Sequence, residues 1–116
     1  MRVLVTNASG FLGFHLVRRL SGEGMEVHAL AEARDRFAQA RRNALPTEGV
    51  TVYESLTAPE LTARVRPEVV VHLYDVGASI ARAGRALSTF AEVLEAAQNA
   101  GVGHVVVESS AAVYGA

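Results

Sequence analysis

"VTNASGFLG", Val5 to Gly13, is the stretch on which the fold depends. An apolar run ends at Thr6, glycines follow at positions 10 and 13, and an amphipathic segment starts at Phe11. Strand, glycine-bearing turn and helix in that order put backbone N–H groups at a helix N-terminus, where anions are held. In such a loop the first glycine makes the tight turn, and the second lets backbone approach a phosphate. The third lets helix and strand pack closely. Gly10 and Gly13 fill the second and third places, while Asn7 stands in the first. Asn tolerates the left-handed backbone region, so the turn survives at modest cost. Its side chain either crowds a phosphate or donates a hydrogen bond to one. The competing reading is a plain strand–helix turn that needs small residues for packing.

Outward from the loop, short Val-rich runs alternate with helical stretches. "RVLVT" (2–6), "EVHAL" (26–30), "VTVY" (50–53), "EVVVHL" (68–73) and "HVVVES" (104–109) suit parallel strands buried on both faces. Between them, 11–24 reads as a helix stopped by Gly22 and Gly24, and 32–44 as an exposed helix ending near Pro46. Thr57 and Pro59 open a third helix over 58–65. In the fourth, Leu87, Phe90, Ala91, Leu94 and Ala97 follow one face, and Gly101 closes it. Regular βα alternation predicts an α/β fold, a doubly wound parallel sheet of five strands in order 3-2-1-4-5 with helices on both faces. Residues 1–116 read as a single domain.

Composition narrows the chemistry. The formal net charge is −1, from 11 basic and 12 acidic residues, which gives no basis for nucleic-acid binding by bulk electrostatics. No apolar run approaches the roughly 18 residues of a membrane span, and "MRVLVT" reads as a strand rather than a leader. A cytoplasmic location is the expectation. The sequence contains no cysteine, which excludes disulfides and thiolate ligands. It contains no lysine either, so Schiff-base chemistry and lysine-assisted proton relays are absent from these residues. His15 and His28 read as isolated packing or surface residues, and no spacing of His with acids makes a metal site. Arg18, Arg19, Arg41 and Arg42 read as solvated helix faces.

"MRVLVTNASGFLGFHLVRRL" resembles the start of the extended short-chain dehydrogenase/reductases, the NAD-dependent epimerase/dehydratase group. The resemblance continues through "VVVHL" (69–73) and "LEAAQNAGVGHVVVESSAAVYG" (94–115), and covers the N-terminal, Rossmann half of a family member. It implies NAD or NADP across the strand ends, with Asn7, Ser9, Gly10, Phe11, Leu12 and Gly13 at the phosphates. Glu32, Arg34, Ser55, Leu56 and Leu73 would complete the cofactor site. Ser110 matches the family's catalytic serine or threonine, whereas the family's downstream Tyr-x-x-x-Lys pair has no counterpart here. The C-terminal substrate region of the family is likewise expected to lie outside these residues.

Several positions depart from the family pattern. Ala31 stands where an acid usually holds the ribose, with Glu32 one residue late; Arg34 and Arg36 nearby suit a 2′-phosphate. "ESL" puts Ser55 in place of an adenine-contacting Asp, and "HLYDVG" brings Tyr74 and Asp75 into cofactor volume. Three readings follow. The first is a nucleotide-binding domain of the epimerase/dehydratase type that does not carry out family-type redox catalysis alone. The second is a cofactor-free descendant acting as a binding or assembly module. The third is a cofactor-independent enzyme using the strand-end rim, with Ser110, Tyr74 and Asp75 as acid/base candidates. A Ser110–His72–Asp75 hydrolase arrangement is disfavoured, because His72 and Asp75 diverge on a strand and its exit. A nucleotide or small-molecule ligand is expected. So is a homodimer or partner chain over the sheet edge after the fifth strand.

Overall fold

The computed structural model describes residues 1–73 and 80–108, with side chains described for all of these except 80–88. Tyr74, Asp75 and Ser110 therefore lie outside the described residues. The element order is β1 (Arg2–Val5), α1 (Phe11–Gly22), β2 (Glu26–Leu30), α2 (Arg36–Asn43), β3 (Val50–Tyr53), α3 (Ala58–Val65), β4 (Val69–His72), α4 (Ile80–Ala100) and β5 (His104–Val107). All pairings are parallel and the sheet order is β3-β2-β1-β4-β5, as the alternation predicts. Val3 is level with Val27 on one side and Val69 on the other.

Side chains on a strand point alternately to the two faces, and both faces here are covered. Val3, Val5, Val27 and Ala29 join Val17 of α1 in one core. Leu4 and Val70 point the other way and join Leu61 and Val65 of α3 and Val93 of α4. Burial on two sides explains why the strands read as near-continuous apolar runs.

Two helices differ from the sequence expectation. α2 starts at Arg36 rather than near residue 32, because the Asp35 carboxylate accepts a hydrogen bond from Ala38 N at 2.8 Å and fixes the start there. Among the α4 residues whose side chains are described, Val93 and Ala97 are buried and Phe90 is half-buried; Ala91 and Leu94 of the expected stripe face outward, and the Leu87 side chain lies outside those described. β5 pairs only with β4 among the described residues, and its Val106 and Val107 are exposed.

Candidate functional site

The carboxyl ends of β1, β2, β3 and β4 form one rim, and the loop after β1 is its centre. Thr6 N continues the ladder to Val71 O at 3.0 Å. The Thr6 hydroxyl then accepts from Leu73 N (2.9 Å), donates to Leu73 O (3.0 Å) and meets His72 Nδ1 at 2.9 Å. His72 is buried and stacks on Phe90 at 6.0 Å between ring centroids. Burial holds its imidazole pKa below the ordinary value and keeps it neutral.

Asn7 has φ 50, the left-handed conformation that the sequence position requires. Its carbonyl accepts from Gly10 N at 3.1 Å, and Ala8 N donates to Leu30 O at 2.8 Å, which ties the loop to β2. A Cβ at Gly13 would lie 2.3 Å from Asn7 O and 2.8 Å from Ala8 Cα, so glycine is what lets α1 sit against the turn. Ser9 Oγ donates to Glu32 O, and Arg41 Nε donates to Ser9 O, each at 2.6 Å. α1 has Gly10 at its N-cap, with no side-chain cap and no acidic residue in its first turn, whereas Asp35 and Thr57 cap α2 and α3. Its first N–H groups therefore carry partial positive charge that no acid of α1's own first turn offsets, although Asp35 and Glu108 also line the cleft beside them.

Two adjoining clefts open beside this loop. One, of about 420 Å³, is lined by Ser9, Gly10, Phe11, Leu12 and Gly13 with Arg41 and Ala38 of α2 and Glu108. The other, of about 830 Å³, is lined by Thr6, Glu32, Glu54, Ser55, Leu56, Thr57 and His72, and by Thr89 and Glu92 of α4. Asn7, Arg34, Asp35 and Leu73 border both, so the two form one continuous groove. All eleven residues expected at a cofactor line it: Asn7, Ser9, Gly10, Phe11, Leu12, Gly13, Glu32, Arg34, Ser55, Leu56 and Leu73.

The acid that sits one residue late has a structural reason. Ala31 is fully buried in the α1-side core and its N–H donates to Tyr53 O, so an acid there would enter the core. Glu32 is the next position to reach the groove, where it pairs with Arg34 at 3.1 Å.

Sequence reasoning missed Thr6, Asp35 and Arg41. Asp35 carried a detectable signal, an acid three positions before the first buried helical residue. Arg41 is not a purely solvated residue, because it reaches the loop, and Arg42 pairs with Glu54 at 3.2 Å. Arg18 lies 5.5 Å over the Phe14 ring, and Arg19 pairs with Glu23 on the surface. Nor is His28 isolated: it bonds Tyr53 OH at 2.9 Å and the Glu26 carboxylate at 2.7 Å, away from the groove. The His28 hydrogen bond, with one from Arg2, lowers the Glu26 carboxyl pKa. His15 packs edge-on between Phe11 and Phe14. Among the described residues no cluster of three His, Cys, Asp or Glu side chains is placed to hold a metal, and no helix is long and apolar enough to cross a membrane.

A doubly wound parallel sheet with a glycine turn leading into an uncapped helix defines the Rossmann class. Within it, the chain belongs to the NAD dependent epimerase/dehydratase family, whose model matches residues 3–116. The Bordetella bronchiseptica enzyme WbmG in complex with NAD is similar at 25% identity and TM-score 0.80, over 99% of this chain and 39% of that one. A UDP-galactose 4-epimerase is similar at 27% identity and TM-score 0.77, over 99% of this chain and 40% of its own. B. bronchiseptica WbmH with NAD+ gives 25% identity and TM-score 0.78, over 98% and 40%. The chain thus spans about two fifths of the length of these relatives. Among curated protein sequences nothing matches.

Proposed function

We propose that the chain binds a dinucleotide, NAD or NADP, or a related nucleotide along the groove at the strand ends, and that these residues alone do not carry out the redox reaction. The observation that carries this reading is the meeting of an uncapped α1 N-terminus with Gly10, Gly13 and Arg34 in one groove. Backbone donors, helix dipole and a guanidinium there suit a pyrophosphate. The similar WbmG structure holds NAD, which supports the choice of ligand class. A nicotinamide ring, when bound, would supply hydride chemistry. With no lysine in the sequence, the tyrosine–lysine pair that the resemblance implies is not formed within these residues. Ser110, Tyr74 and Asp75 are proposed as reacting groups from the sequence alone.

The Glu32–Arg34 pair serves either cofactor: its carboxylate suits a ribose 2′-hydroxyl and its guanidinium a 2′-phosphate. Calorimetric and thermal-shift titrations with NAD, NADH, NADP and NADPH separate the two. Heat and a raised melting temperature with at least one are expected, and silence with all four would overturn the reading. We further propose self-association over β5, supported by the exposed Val106 and Val107 on a strand paired only with β4 among the described residues. Light scattering showing only monomer at high micromolar concentration would count against it.

A further inference from the structure

Asn7 replaces a glycine, and its side chain occupies a definite place. A Cβ built on Gly10 would lie 2.8 Å from Asn7 Nδ2 and 3.2 Å from Asn7 Cγ. The carboxamide therefore rests over the bare Cα of Gly10, in the space that glycine keeps open in such loops. Asn7 also borders both clefts, at the seam where they join beside Arg34. It is half-buried, and no described residue hydrogen-bonds its side chain. An amide has two N–H donors and an acceptor oxygen, so a polar group presented at this seam seeks an outside partner.

We propose that Asn7 is a specificity-determining residue whose carboxamide donates to a phosphate of the ligand at the junction of the two clefts. This rests on the dinucleotide reading above and sharpens it. The missing glycine is then not erosion of the site, because a side-chain donor stands in the volume left for backbone approach. A phosphate is the chemistry that fits. The first turn of α1 beside it offers N–H groups and no acid of its own, and Arg34 and Arg41 bring guanidinium groups to a cleft that Asp35 and Glu108 also line.

The test compares wild type with Asn7→Gly and Asn7→Asp by calorimetry, using ADP and whichever of the four dinucleotides binds. Both replacements enter the left-handed region readily, so the φ of 50 is preserved, and unliganded melting temperatures monitor the fold. Asn7→Gly is expected to weaken binding about tenfold and Asn7→Asp about a hundredfold, since the acid both lacks the donors and repels phosphate. Gly10→Ala is expected to weaken binding less in the Asn7→Gly background than in wild type, because its Cβ no longer meets the carboxamide. Binding by Asn7→Gly as tight as wild type or tighter overturns this inference alone. A wild type that binds none of the nucleotides overturns it together with the dinucleotide reading.

Discussion

Thr6 and His72, 66 positions apart, meet across the top of the sheet with Oγ1 2.9 Å from Nδ1. The contact joins the ends of β1 and β4 on the wall of the larger cleft, and it uses a neutral ring. His72 is 2% exposed, and burial disfavours its charged form. The folded state therefore binds a proton less readily at this site than the unfolded chain does.

The sign of the pH dependence follows. Above about pH 6.5, the ordinary histidine value, both states are neutral at His72 and the site adds no slope. As pH falls through that value the unfolded chain takes up a proton first, so stability declines until the folded-state pKa is passed. Chemical denaturation at about pH 7 and about pH 5 is expected to show a smaller loss for His72→Asn than for wild type. Equal losses would show that His72 is not a source of the acid sensitivity.

Gly13→Ala is expected to cost about 1–3 kcal/mol. Its Cβ would meet Asn7 O and Ala8 Cα, both backbone, so relief requires α1 to move away from the turn. Gly22→Ala is the control, because nothing lies within 4 Å of a Cβ there. Thermal unfolding of the two variants side by side checks the difference.

Arg41→Ala removes the 2.6 Å bond to the Ser9 carbonyl. A loss of about 1 kcal/mol is expected, together with faster hydrogen exchange at the loop amides after β1 and weaker nucleotide binding. Arg41→Lys is not expected to restore the contact, since the donating Nε lies one bond nearer the backbone than a lysine ammonium and its direction is fixed by the planar guanidinium. Unchanged exchange in Arg41→Ala would mean that the loop holds its shape without the strap.

The sheet order was legible because Val-rich runs and glycine stops are local signals, and β1 to β5 fall where those signals lie. The loop residues were legible for the same reason, since glycine spacing sits within one short stretch. Arg41 was not: it lies on a polar helix, and its reach to Ser9 depends on how α2 docks beside the loop, 32 positions away. Thr6 looked like the last residue of a strand, and its hydroxyl gains a role only when β4 arrives beside it. Glu32 could be named from the sequence as an acid one residue late, but why Ala31 is not acidic, its burial, needed the packed core.

The loop after β1 is stitched to β2 through Ala8, to the chain beyond β2 through Ser9, to α2 through Arg41 and to β4 through Thr6. Those stitches span sequence separations of 23, 32 and 66 residues for Ser9, Arg41 and Thr6. A peptide of the loop and α1 alone has the glycines but none of these anchors, and its backbone would wander through many shapes. On the proposed dinucleotide reading, nucleotide affinity would therefore report completed assembly, rising only once strands from both sides of β1 have closed around the turn.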